Sequence, residues 1–145
     1  MYCTLLSAFI ILLLSQCTNQ KQKAQNVCFE LDSLMYIQQK AWNTGDIKTF
    51  MKSYWKNDSL QFIGSNGITK GWQATLDRYK TSYPDKDTMG KLKITNMECL
   101  LIDNTHYHIV GNWILYRRND TLQGFYSLLW KNINGEWVII KDHSS

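Results

Sequence analysis

The side chains able to move a proton are few, and most fall in the last third of the chain. His106 and His108 are two residues apart, so any strand that carries them presents both on one face, and Asn112 and Tyr116 continue that face at the same period. A histidine beside an amide and a phenol is equipped for general acid–base work near neutral pH. Asp142 adds a carboxyl near the end of the chain, next to His143. In an extended segment these two point to opposite sides, so they do not form an adjacent dyad. His108, Asp142 and Tyr116 are therefore the catalytic candidates, with a structural alternative for each. His106 suits an exposed strand start, His108 a cross-strand partner, and Asp142 a hydrogen bond to Ser144, Ser145 or a neighbouring strand. No Ser-His-Asp order, phosphate loop or zinc motif accompanies them.

A second set of residues points to binding. The chain of 145 residues holds six Trp and eight Tyr, many of them expected in the core and some around a cavity. Trp42, Trp55, Phe62, Trp72 and Tyr79, with Tyr54 and Tyr83, are the aromatics that helices and a first strand can place around a cavity. With His108 and Asn112 they form the candidate ligand-binding set. Helical spacing alone also accounts for most of them as core. Arg78 neighbours Tyr79 and is placed either to reach an anionic ligand or to sit exposed on the back of its helix.

These residues have to be positioned by a sheet and the helices that cover it. Four runs, Met89 to Ile102, His106 to Arg118, Gly124 to Lys131 and Glu136 to Ser145, are rich in β-branched and aromatic residues. The segments between them are short, and Asn134-Gly135 is a strong hairpin signal, so consecutive strands are expected to pair antiparallel. Upstream, Val27, Leu31, Leu34 and Ala41, widened by Met35 and Trp42, follow helical spacing. Gly45 closes that helix and Asp46 caps a short second one reaching about Tyr54. A short strand follows over Ser59 to Ile63. A loop with Asn66-Gly67 and Gly71 then leads to a third helix bearing Trp72, Leu76, Tyr79 and Tyr83, which Pro84 ends. The expectation is one α+β domain. Tyr126, Leu128 and Trp130 on one face of the last hairpin, and Phe125 and Leu129 on the other, leave both faces apolar. That predicts a homodimer through the outer sheet face.

The first sixteen residues carry no charge, and Leu5 to Leu14 is apolar except for Ser7. Such a run suits the core of a secretory signal over residues 1–16. Leu14-Ser15-Gln16-Cys17 resembles a bacterial lipobox, with Cys17 as the lipidation site, residues 17–27 as a polar tether and residues 28–145 as the domain. The expected location is the cell envelope, lipid-anchored to a membrane, or otherwise secretion. Cys28 and Cys99 then remain. They either form one bridge, or Cys99 is a small buried hydrophobe in its strand. Two thiols and three scattered histidines give no ligand spacing, so no metal is expected. The net charge of +4 is spread out rather than clustered, which argues against a nucleic-acid partner.

With WNTGD near the front, GxxxGWxxTLxRYKxxYP in the middle and GEWVIIKDHSS at the end, residues 28 to 145 resemble the nuclear transport factor 2-like superfamily. The nearest branch is the DUF4440 group, also described as SnoaL-like. The resemblance implies a cone-shaped domain with N-terminal helices on a strongly curved, mostly antiparallel sheet around a pocket, commonly dimeric. It implies no cofactor. In the isomerase branch an aspartate base ends the first short strand, whereas here Ser59-Leu60-Gln61-Phe62-Ile63 ends apolar. Binding of a small, mostly apolar ligand, or a role in assembly, is therefore preferred over an isomerase-like or SnoaL-like enzyme using His108.

Overall fold

The computed structural model describes the backbone of residues 2–145 and the side chains of residues 20–145. The expected signal over residues 1–16 and the lipidation site Cys17 lie outside the described side chains. Helix α1, Tyr2–Thr44, runs through two compact units, the first ending at Leu31 and the second comprising Asp32–Ser145. In the first unit, residues 20–26 of the expected polar spacer are helical and mostly exposed, with Gln22 Nε2 donating to Asn26 Oδ1 at 3.1 Å. Cys28 and Cys99 are each disulfide-bonded, so Cys99 is not a free buried thiol.

The second unit begins with the end of α1, which is closed as its sequence requires. Gly45 takes a φ of 82° that a side chain would resist, and Gly45 N–H and Asp46 N–H donate back to the carbonyls of Trp42 and Ala41. Asp46 then accepts from Thr49 N–H at 3.0 Å and starts α2, Ile47–Phe50, which a 3-10 turn, Met51–Ser53, continues. Strands β1, Gln61–Gly64, and β2, Gly67–Lys70, form a hairpin where a single strand and a loop were expected. Helix α3, Trp72–Ser82, and the single turn α4, Lys86–Met89, flank Pro84. Four longer strands follow: β3, Lys91–Asp103; β4, His106–Tyr116; β5, Thr121–Ile133; and β6, Glu136–Ser144. Asn134 and Gly135 turn β5 into β6 with φ of 55° and 91°, the two positive values of a type I′ hairpin.

The sheet departs from the expected strongly curved, cone-shaped and mostly antiparallel one, and the correction has two parts. All six strands join in one open, mixed sheet in the order β2-β1-β6-β5-β4-β3, with β2 and β3 as its edges. Strand β1 runs parallel to β6, pairing Gln61 with Lys141, Phe62 with Asp142 and Ile63 with His143. Short loops dictate antiparallel pairing only between consecutive strands. Two helices and four strands separate β1 from its partner along the chain, so its direction is set by tertiary packing.

One face of the sheet is covered by α1 and α3. Trp42 Nε1 donates to the Met89 carbonyl at 3.1 Å, Gln39 Oε1 accepts from Ile94 N–H at 2.6 Å, and Asn43 exchanges two hydrogen bonds with the Leu92 backbone. Each satisfies a backbone group at the start of β3 or just before it, which fixes where the helix docks. Leu60, Ile109, Trp130 and Ile139 are fully buried on this side. Truncating one of them costs several kcal/mol, about 2–5 in comparable cores. Thr75 and Gln38 are equally buried and are satisfied by the carbonyls of Gly71 and Phe50.

Candidate functional site

The site depends on an irregularity in β6. Trp130 pairs with Ile139, but Leu129 pairs with Lys141, so Ile140 is an extra residue in the strand. A bulge of this kind shifts the alternation by one. Beyond it Lys141 and His143 are exposed, while Asp142 and Ser144 turn towards the helices.

Asp142 is 3% exposed, and both its oxygens are engaged. The Tyr54 hydroxyl donates to Oδ2 at 2.6 Å and the Ser144 hydroxyl to Oδ1 at 2.5 Å. Tyr54 is brought there by the turn after the 3-10 segment, where it bridges to Ile139, and its hydroxyl lies 3.2 Å from that of Tyr79 on α3. Burial raises the Asp142 carboxyl above the ordinary carboxylate value, and the Ser144 and Tyr54 hydroxyls pull it only part of the way back. Burial, with Asp142 beside it, pushes the Tyr54 phenol well above its usual value, and Tyr79 is raised for the same two reasons. The chain Tyr79, Tyr54, Asp142, Ser144 is thus a buried row of hydroxyls ending on a carboxyl that favours its neutral form.

This row forms part of the wall of a pocket of about 380 Å³. Trp42, Phe50, Phe62, Tyr79 and Tyr83 make its aromatic wall, meeting edge to face at centroid distances such as 5.2 Å for Trp42 with Phe50 and 5.6 Å for Phe62 with Tyr79. Leu92, Leu115 and Leu128 add aliphatic surface from the sheet, and Met35 adds it from α1. Tyr126, also in the wall, donates its hydroxyl to Asn96 Oδ1. The Arg78 guanidinium lies 4.3 Å from the centroid of Phe62. Such a cavity holds a small apolar molecule and offers it a few polar contacts. Among the described residues no group of three metal-ligating side chains occurs.

The residues expected from sequence divide three ways. Trp42, Phe62, Tyr79 and Asp142 come together in the pocket. Trp55 and Trp72 do not line it. Trp55 is anchored through its backbone to Ile139, and Trp72 donates Nε1 to the Met51 carbonyl at 3.1 Å with the Lys56 ammonium 5.5 Å from its ring centroid. His108, Asn112 and Tyr116 share a face as their spacing requires, but β4 turns Trp113 and Leu115 to the pocket and these three to the opposite side. There His108 Nε2 meets the Ser127 hydroxyl at 2.6 Å, Tyr116 is 47% exposed, and the Asn112 Oδ1 is buried without a partner. His106 is held at the turn by Asp103 at 3.0 Å. Phe50, Tyr126, Trp113 and Ser144 are among the pocket residues absent from the sequence-based set. Tyr126 shares its strand period with buried Leu128 and Trp130, the signal that could have found it. Ser144 was expected only as a hydrogen-bond partner of Asp142, which it is, and the bulge is what turns both to the pocket.

No protein-family model matches the chain, and no curated protein matches it. Solved structures do. An NTF2-like protein of unknown function from Shewanella oneidensis is 40% identical, with a TM-score of 0.78 over 81% of this chain and 98% of that one. A domain of unknown function with a cystatin-like fold from Nostoc punctiforme gives a TM-score of 0.69 at 11% identity, over 80% and 74% of the two chains. A nuclear transport factor 2 (NTF2-like) superfamily protein from Salmonella enterica gives 0.66 at 18%, over 83% and 91%. The last two share the fold alone, whereas the first is related in sequence along nearly its whole length. On that relationship the chain belongs to the NTF2-like family.

Proposed function

We propose that the chain binds a small, mostly apolar molecule in the pocket between α1, α3 and the sheet. The observation that carries this is the cavity of about 380 Å³ whose wall is aromatic and whose buried carboxyl is supported by two hydroxyls. A cavity that is mostly apolar with a few polar groups in its wall suits a small apolar ligand that exchanges a hydrogen bond there. Native mass spectrometry of protein taken from its own envelope tests the proposal. Wild type should carry a reproducible adduct, and Leu122→Trp, which fills the pocket from a partly exposed position, should lose it. Ligand-free wild type would count against binding.

A second reading is acid–base chemistry on the same ligand by Asp142 rather than His108. It is favoured by the raised carboxyl beside Tyr54, a pairing suited to holding and releasing a proton. Recovery of a converted ligand that Asp142→Asn leaves unconverted would decide for it.

In the same proposal the chain is an exported member of the DUF4440 or SnoaL-like branch, tethered through lipid on Cys17. Its support is the apolar run before Cys17 and the motifs WNTGD and GEWVIIKDHSS. The proposed assembly is a homodimer through the sheet face that carries His108. Phe125, 61% exposed, and Leu100, 48% exposed, lie there with Val110 and Leu129, a patch that a second copy would cover.

A further inference from the structure

Arg78 lines the pocket described above. Its guanidinium lies over the Phe62 ring, and one terminal nitrogen, Nη2, is 3.0 Å from where a β-carbon on Gly64 would stand. The absence of a side chain at Gly64 is what gives the guanidinium room there. Among the described residues the ion pairs are His106 with Asp103 and Arg117 with Asp120, both at turns between strands, and Arg78 belongs to neither. Asp142 in the same wall acts on Arg78 only through space: the two form no ion pair, and both carboxyl oxygens accept from hydroxyls. A half-buried guanidinium has lost part of its hydration without gaining a counter-ion. Its planar fork of donors matches a carboxylate better than any neutral group. The pocket holds a further unused donor, the Trp113 Nε1, buried and without a partner. Arg78 and Trp113 thus give the pocket donors that no protein acceptor pairs with.

We infer that the ligand is an organic carboxylate, its carboxylate on Arg78 beside Gly64 and its apolar body against Phe62, Leu128 and Trp42. This rests on the pocket being a binding site and adds the chemical class of what it binds. Burial raises the Asp142 carboxyl above its ordinary value, which lessens its repulsion of such an anion. Arg78 already rests on the Phe62 ring, in space that Gly64 leaves open, so part of its side-chain freedom is lost before the ligand arrives.

Calorimetric titration of the full-length chain at pH 7 with decanoate and with 1-decanol tests the inference, because the two probes share the alkyl body and differ at the head. Decanoate should bind about 10- to 100-fold tighter, the effect of a charge-assisted hydrogen bond. Arg78→Gln should bring the two probes to within about threefold, a loss of most of that charge-assisted preference. Arg78→Lys keeps the charge without the fork and should retain part of the preference, and it also serves as the reporter if Arg78→Gln fails to fold. Equal binding of both probes to wild type, or tighter binding of decanol, overturns the carboxylate assignment and leaves the apolar pocket standing. An acid preference undiminished in both variants overturns the role of Arg78. If neither probe binds wild type and native mass spectrometry finds the pocket empty, the binding proposal itself fails and this inference with it.

Discussion

Removing the Tyr54 hydroxyl should cost much more than a surface hydroxyl would. Tyr54→Phe keeps the ring among Phe50 and Tyr79 but takes away the 2.6 Å donor to Asp142, leaving that buried carboxyl only Ser144. A lost hydrogen bond to such a group costs about 1.5–3 kcal/mol, because the buried group keeps its desolvation penalty without the partner that offset it. At about 4 °C per kcal/mol for a domain of this size, Tm should fall by about 6–12 °C. The decisive measurement is a double-mutant cycle with Asp142→Leu, followed by urea unfolding. Once the carboxyl is gone, Tyr54→Phe removes only the 3.2 Å contact with Tyr79 and should cost under about 0.5 kcal/mol, so the coupling should exceed about 1 kcal/mol. A Tyr54→Phe variant as stable as wild type, or one equally destabilised in both backgrounds, would refute the view that this pair is coupled.

Five further outcomes are expected. Asp142 has a folded-state value above its ordinary 3.8, so its contribution to stability is complete below that value and is lost as pH rises through the raised one. Asp142→Asn, neutral throughout, should therefore gain stability relative to wild type between pH 3.5 and 7, and parallel Tm curves would contradict this. Gly111→Ala would place a β-carbon 2.2 Å from the Tyr126 hydroxyl and 2.4 Å from the Thr95 carbonyl, and should cost about 2–3 kcal/mol by thermal unfolding. Gly135→Ala, in open space at φ 91°, should cost about 1 kcal/mol. Phe125→Glu should convert the proposed dimer to a folded monomer by sedimentation, and Cys17→Ser should move the protein out of the membrane fraction. An unchanged sedimentation coefficient or unchanged fractionation would dismiss the corresponding proposal.

Local chemistry made much of the fold legible. Gly45, Asp46, Pro84 and Asn134-Gly135 each do what their backbone preferences require, and the four long strands lie where β-branched and aromatic residues cluster. The period of two likewise placed His108 with Asn112 and Tyr116. It left open which face they take, because β4 is apolar on both sides: Ile109 and Leu115 face the helices, while Val110 and Ile114 face away. Strand β2, only four residues long and at the sheet edge, has too little hydrophobic pattern to stand out from a loop.

Two non-local features assemble the site, and neither leaves a periodic trace. Alternation carried on from buried Ile139 would send Lys141 and His143 towards the helices and Asp142 outwards. Burying the Lys141 ammonium among aromatic rings without a counter-ion would be far more expensive than leaving Ile140 unpaired, and the bulge is the arrangement that keeps lysine in water. The parallel pairing of β1 with β6 then sets Phe62 directly beside Asp142, and Phe62 carries Arg78 on its ring. One extra residue in β6 and one strand direction therefore decide that the pocket contains a carboxyl held by hydroxyls and a guanidinium without an ion-pair partner, rather than the histidines that the sequence places so conspicuously on β4.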